Sequence, residues 1–88
     1  MTISPLQRRL RAARAVISGD FSSTSRVVDT LLDLRQIADD EPTTVALVDS
    51  YLAALPGPSV VTNEWWRDAL DELDRAAGDS APLTSVAG

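Results

Sequence analysis

Apolar residues recur along this chain at intervals of three and four, in four runs separated by Gly, Pro, Ser and acidic residues. That spacing places them on one side of a helix with 3.6 residues per turn. The first run predicts a helix over 5–18, with Leu6, Leu10, Ala13 and Ile17 on one stripe. Ser4 can cap it, Pro5 fits the first helical position, and Gln7 completes a Ser-x-x-Gln capping box. Gly19 suits the left-handed residue that ends a helix. Four arginines share this run. Arg8 and Arg11 project opposite the stripe, and Arg9 and Arg14 flank it.

The second run predicts a helix over 23–39, capped by Ser22 or Ser23. Thr24, Val27, Leu31, Leu34 and Ala38 form its stripe, and Val28, Leu32 and Ile37 widen it, with Asp29, Asp33 and Gln36 on the outer side. Pro42 pushes Glu41 out of the helical region, which ends the helix near Asp39. The third helix, over 42–55, carries Val45, Val48, Leu52 and Leu55, with Leu47 and Tyr51 beside them and Asp49, Ser50 and Ala53 outside. Pro56-Gly57-Pro58 stops it, and Ser59, Val60 and Val61 read as a short extended link. The fourth helix, over 63–77, is capped by Thr62 or Asn63 and buries Trp66, Leu70, Leu73 and Ala77. Asp71 and Arg75 are spaced for an i,i+4 pair, and Gly78 is read as the end of the helix. Residues 79–88 show no period and are expected to form a flexible tail.

The expected fold is therefore all-α: a small four-helix bundle or orthogonal helical array, forming a single domain over 1–78. No strand and no repeat is expected. At 88 residues the core is small and stability is expected to be marginal, which makes self-association or a stabilising partner attractive.

Charge sharpens the picture of the first helix. Residues 1–26 hold five Arg and one acid, net +4, and residues 27–88 hold three Arg and twelve acids, net −9, which together give −5. Arginines early in a helix do not serve its dipole, which favours cations at the C-terminal end. They are either a solvated face balancing the acidic helices or a surface for an acidic protein or a phosphate. Binding of nucleic acid is disfavoured by the acidic whole. A helix-turn-helix over the second and third helices fares no better. Its turn, Asp39-Asp40-Glu41, is acidic, and the outward residues Ala46, Asp49, Ser50 and Ala53 cannot read bases.

Of Trp65 and Trp66, adjacent on the fourth helix, only one can face the core. Trp66 fits it. Trp65 falls on the flank, either covering the edge of the fold or anchoring an interface. The chain has neither cysteine nor histidine, so it lacks thiolate and imidazole metal ligands and the commonest general base. Without Lys either, the Ser/Thr cluster at 22–25 has no base to activate it and reads as helix capping. The acidic groups do not match a calcium loop. No metal site, cofactor or small-molecule substrate is expected.

No stretch is apolar enough to cross a membrane, the N-terminus has no apolar signal core, and the first helix is a poor membrane anchor, so a cytoplasmic location is expected. The expected function is non-enzymatic protein–protein contact, as an adaptor, a regulator or a phage-type accessory factor. The expected contact residues are Arg8, Arg9, Arg11 and Arg14 with Trp65. The alternatives are a nucleic-acid-associated regulator, which in dimeric form would double the Arg patch, and a structural subunit of a larger assembly.

Overall fold

A computed structural model describes residues 4–80. It holds α1 (Pro5–Ala15), β1 (Phe21–Ser23), α2 (Thr24–Ile37), α3 (Pro42–Ala53), β2 (Val60–Thr62) and α4 (Asn63–Ser80). The molecule is mostly helical, with four helices and one two-stranded antiparallel ribbon among the described residues. Each helix packs on the next, and α4 closes against α1.

α1 begins as its residues dictate. The Ser4 hydroxyl accepts from the Gln7 amide at 3.1 Å, the Gln7 side chain accepts from the Ser4 amide at 3.4 Å, and Pro5 opens the helix. Leu6, Leu10 and Ala13 are buried and Ile17 is half-buried. The helix stops at Ala15, three residues short of the expected end. Gly19 does adopt the left-handed conformation, φ +75°, but it turns the chain into β1 and does not cap α1.

The ribbon corrects the expectation of no strands. Phe21 pairs with Thr62, Ser22 with Val61 and Ser23 with Val60. The pairing is extended at both ends, by the Asn63 amide donating to the Asp20 carbonyl (2.8 Å) and the Thr24 amide donating to the Ser59 carbonyl (2.9 Å). Three-residue strands are too short to show a period of two, and their pairing joins segments far apart in sequence. Val61 points inward and is buried, while Phe21 and Val60 lie on the outer face.

The Ser22/Ser23 cap on α2 is also corrected. Ser23 occupies the N-cap position without making a side-chain cap bond, and the Ser22 hydroxyl donates to Asn63 Oδ1. The expected α2 stripe is buried throughout: Thr24, Val27, Leu31, Leu34 and Ala38. Leu32, expected to widen it, is half exposed, and Thr30 is buried in its place. The buried arc thus turns toward Thr30, and Leu32 lies about 100° from Leu31 on the other side. Glu41 is extended (φ −117°, ψ 92°) before Pro42, as the proline requires.

In α3 the fully buried residues are Thr44 and Val48, with Val45, Leu47, Tyr51 and Leu52 half-buried. α4 buries Trp66, Leu70, Leu73 and Ala77 as expected, and also Asn63 and Ala69. It continues through Gly78 to Ser80, so Gly78 does not end it and residues 79 and 80 are helical, not tail. The remainder of the expected tail, 81–88, lies outside the described residues. Among the described residues no helix is long and apolar enough to cross a membrane.

Candidate interaction surface

The four arginines of α1 separate into two pairs with different surroundings. α1 sits between α2 and α4, so its two flanks each face a neighbour. On one flank Arg9 donates from Nε to Asp33 Oδ2 of α2 at 2.7 Å. On the other Arg14 pairs with Asp71 of α4. Both pairs are partly exposed, and each is worth at most about 1 kcal/mol. Asp71 therefore meets Arg14 and not Arg75, which removes the expected i,i+4 pair.

Arg8 and Arg11 face away from the stripe, are exposed, and have no side-chain partner among the described residues. The exposed residues beside them on α1 are Ala12 and Ala15, and Val16, 65% exposed, follows at the C-cap. The outer face of α1 thus combines two unpaired guanidinium groups with small and apolar side chains. It can donate up to ten charge-assisted N–H bonds, five from each fork.

Trp65 lies elsewhere. It is half-buried against the core, and its ring meets that of Tyr51 edge-on, with centroids 6.0 Å apart and planes at 81°. The Tyr51 hydroxyl donates to the Glu72 carboxylate. Burial, and then the bond to Glu72, push the Tyr51 phenol well above its ordinary value. Tyr51, Trp65 and Glu72 therefore form a latch between α3 and α4. The structure brings Arg8 and Arg11 together on one face, ties Arg9 and Arg14 into the fold, and holds Trp65 against α3.

Two hollows border α1. The larger, about 1100 Å³, runs along the α1–α2 face past Leu32. Arg9, Arg26 and Arg35 line it against Asp29, Asp33 and Asp39, so its charges cancel. The smaller, about 200 Å³, opens at the C-terminal end of α1 beside β1, with Val16, Ile17 and Phe21 at its rim and Trp66 in its lining. This second hollow has no signature in the helical periodicity, because Phe21 belongs to no helical run. Among the described residues no group of three or more acidic, His or Cys side chains is placed to hold a metal ion.

Asn63 is the residue that positions this end of the molecule. It is 1% exposed, and its side-chain amide donates to the carbonyls of Ser18 (2.8 Å) and Gly19 (2.9 Å). It accepts from Ser22, so its polar atoms are partnered across the loop that joins α1 to β1.

Compared with protein-family models, with curated proteins and with solved structures, the chain matches none of them.

Proposed function

We propose that this protein is a non-enzymatic helical module that acts by protein–protein contact, as an adaptor, a regulator or an accessory factor, through the outer face of α1. One observation carries this reading: of the four arginines on α1, Arg8 and Arg11 are left exposed and without a side-chain partner among the described residues, side by side on a face of small residues. Unpaired guanidinium groups on a protein of net charge −5 favour an acidic partner surface, where planar forks bind carboxylates two bonds at a time. Arg9 and Arg14 support the surface by fixing α1 to α2 and α4. Trp65, packed edge-on against Tyr51 of α3, is set apart from this surface.

The test is capture of partners from the native host by the wild-type chain and by the double variant Arg8→Glu/Arg11→Glu. The double variant loses the captured partner while its helical circular-dichroism signal stays intact. Undiminished capture overturns the reading. A captured partner that proves to be nucleic acid, released steeply by salt, transfers the same two arginines to phosphate binding.

A further inference from the structure

The 200 Å³ hollow beside β1 combines three properties. Its size is below the roughly 300–1,000 Å³ of small-molecule sites and suits a single large apolar side chain. Its exposed lining includes large apolar side chains, Val16 at 65% and Phe21 at 60% exposure with Ile17 half-buried beside them, together with the exposed Ser18 and Ser23. The strand register sets Val60 on the same outer face of the ribbon as Phe21, outside the hollow itself. Third, among the described residues Arg26 is the only charged residue that lines it; Arg26 also borders the larger hollow that holds Asp29 and Asp33, but is exposed and makes no side-chain hydrogen bond or ion pair with any described residue.

We infer that this hollow is an anchoring site for an acidic peptide segment of a partner protein, taking one large apolar side chain of that segment while Arg26 pairs with a carboxylate next to it. The occupant follows from charge complementarity. Arg26 is the one charged side chain in the lining among the described residues, and residues 1–26, which supply most of that lining, carry net +4, so the hollow favours a carboxylate beside the apolar anchor. A basic segment is repelled by Arg26. A second copy of this chain, net −5, supplies acidic surface but brings its own Arg26 to any twofold contact at this spot. The loop that carries the rim is held by the Asn63 bonds to Ser18 and Gly19, so the site is formed before the partner arrives and costs little ordering on binding.

The inference rests on the contact reading of α1 and names its partner chemistry. It is tested with synthetic peptides on the intact protein, by fluorescence anisotropy: a Glu-rich peptide with one central Phe, the same peptide with Ala for Phe, and a Lys-rich peptide with the Phe kept. The Glu/Phe peptide binds, and the other two bind at least about tenfold more weakly, the loss expected when a buried anchor or its charge partner is removed. Arg26→Glu abolishes binding of the Glu/Phe peptide and confers binding of the Lys/Phe peptide. Phe21→Ser weakens the Glu/Phe peptide without changing the helical circular-dichroism signal. Equal binding of the Phe and Ala peptides, or an Arg26→Glu variant that binds like wild type, overturns the site. Capture of the native partner that survives Arg26→Glu but not Arg8→Glu/Arg11→Glu overturns the hollow alone and leaves the α1 surface standing.

Discussion

The side-chain amide of Asn63, at the start of α4, donates to the backbone carbonyl of Gly19 at 2.9 Å, joining residues 44 positions apart. Gly19 is the one described residue with positive φ, and Asn63 is almost fully buried. The bond, with its companion to Ser18, makes the turn after α1 depend on α4.

Replacing Asn63 by aspartate keeps the shape and removes the donor. A carboxylate would face two carbonyls in a buried site, at a cost of about 2–3 kcal/mol in unfolding free energy at pH 7. Burial raises the pKa of that carboxyl, so its protonated form, which can again donate, is favoured in the fold. The stability difference between wild type and Asn63→Asp therefore shrinks as pH falls from neutral toward 4, in urea titrations of both proteins. A difference that stays constant with pH contradicts the donor role.

Tyr51 is the only tyrosine, so its titration can be followed alone in ultraviolet absorbance. Its folded value is raised, first by burial and then by the hydrogen bond to Glu72. The unfolded value is about 10. The stabilisation from this group is complete below that pH and is lost as pH rises through 10 toward the folded value. Native protein is thus expected to show little tyrosinate at pH 10, where the urea-unfolded chain is about half ionised. Tyr51→Phe removes this contribution to the alkaline loss of stability.

Thr44 is fully buried in α3, and its hydroxyl has no hydrogen-bond partner among the described residues. A buried hydroxyl left unpaired costs about 1–3 kcal/mol, and valine replaces it with a methyl group of similar size. Thr44→Val is expected to raise stability by about 1 kcal/mol, read as a higher denaturation midpoint with unchanged slope.

Gly57 lies in the loop that brings α3 back to the ribbon. Its carbonyl accepts from the Thr24 hydroxyl at 2.9 Å, and a Cβ added to it would collide with the backbone carbonyl of Val60. Backbone must move to relieve that contact, so Gly57→Ala is expected to cost more than about 1 kcal/mol. Thermal unfolding followed by circular dichroism measures it.

The arginines of α1 are expected to divide in stability as they do in structure. Arg9→Ala and Arg14→Ala each lose up to about 1 kcal/mol through the pairs to Asp33 and Asp71. Arg8→Ala and Arg11→Ala stay within about 0.5 kcal/mol of wild type, as exposed substitutions without partners do. Equal losses across all four in chemical denaturation would mean that the outer pair is structural.

Local chemistry was fully legible in places. The capping box on α1 and the extended Glu41 before Pro42 depend only on residues within a few positions, and both form as their sequence dictates. The stripes of α2 and α4 were equally plain, because a fixed angle per residue assigns their faces without reference to neighbours. In the candidate surface, the same angle placed Arg8 and Arg11 opposite the stripe and Arg9 and Arg14 on its flanks.

By itself, then, the sequence determined four amphipathic helices, most of their buried faces, and the concentration of positive charge on the first. The tertiary structure decided the rest. It paired β1 with β2, because a three-residue strand gains its hydrogen bonds only from a segment far along the chain. It turned the α2 interface toward Thr30 and left Leu32 half exposed, since which side of a broad stripe is covered depends on where the neighbouring helices lie. It buried Asn63 among carbonyls that no local pattern brings near it. It also separated the paired arginines from the unpaired ones, because an ion pair requires the opposite charge to be placed within reach, and only the packing of α1 between α2 and α4 does that.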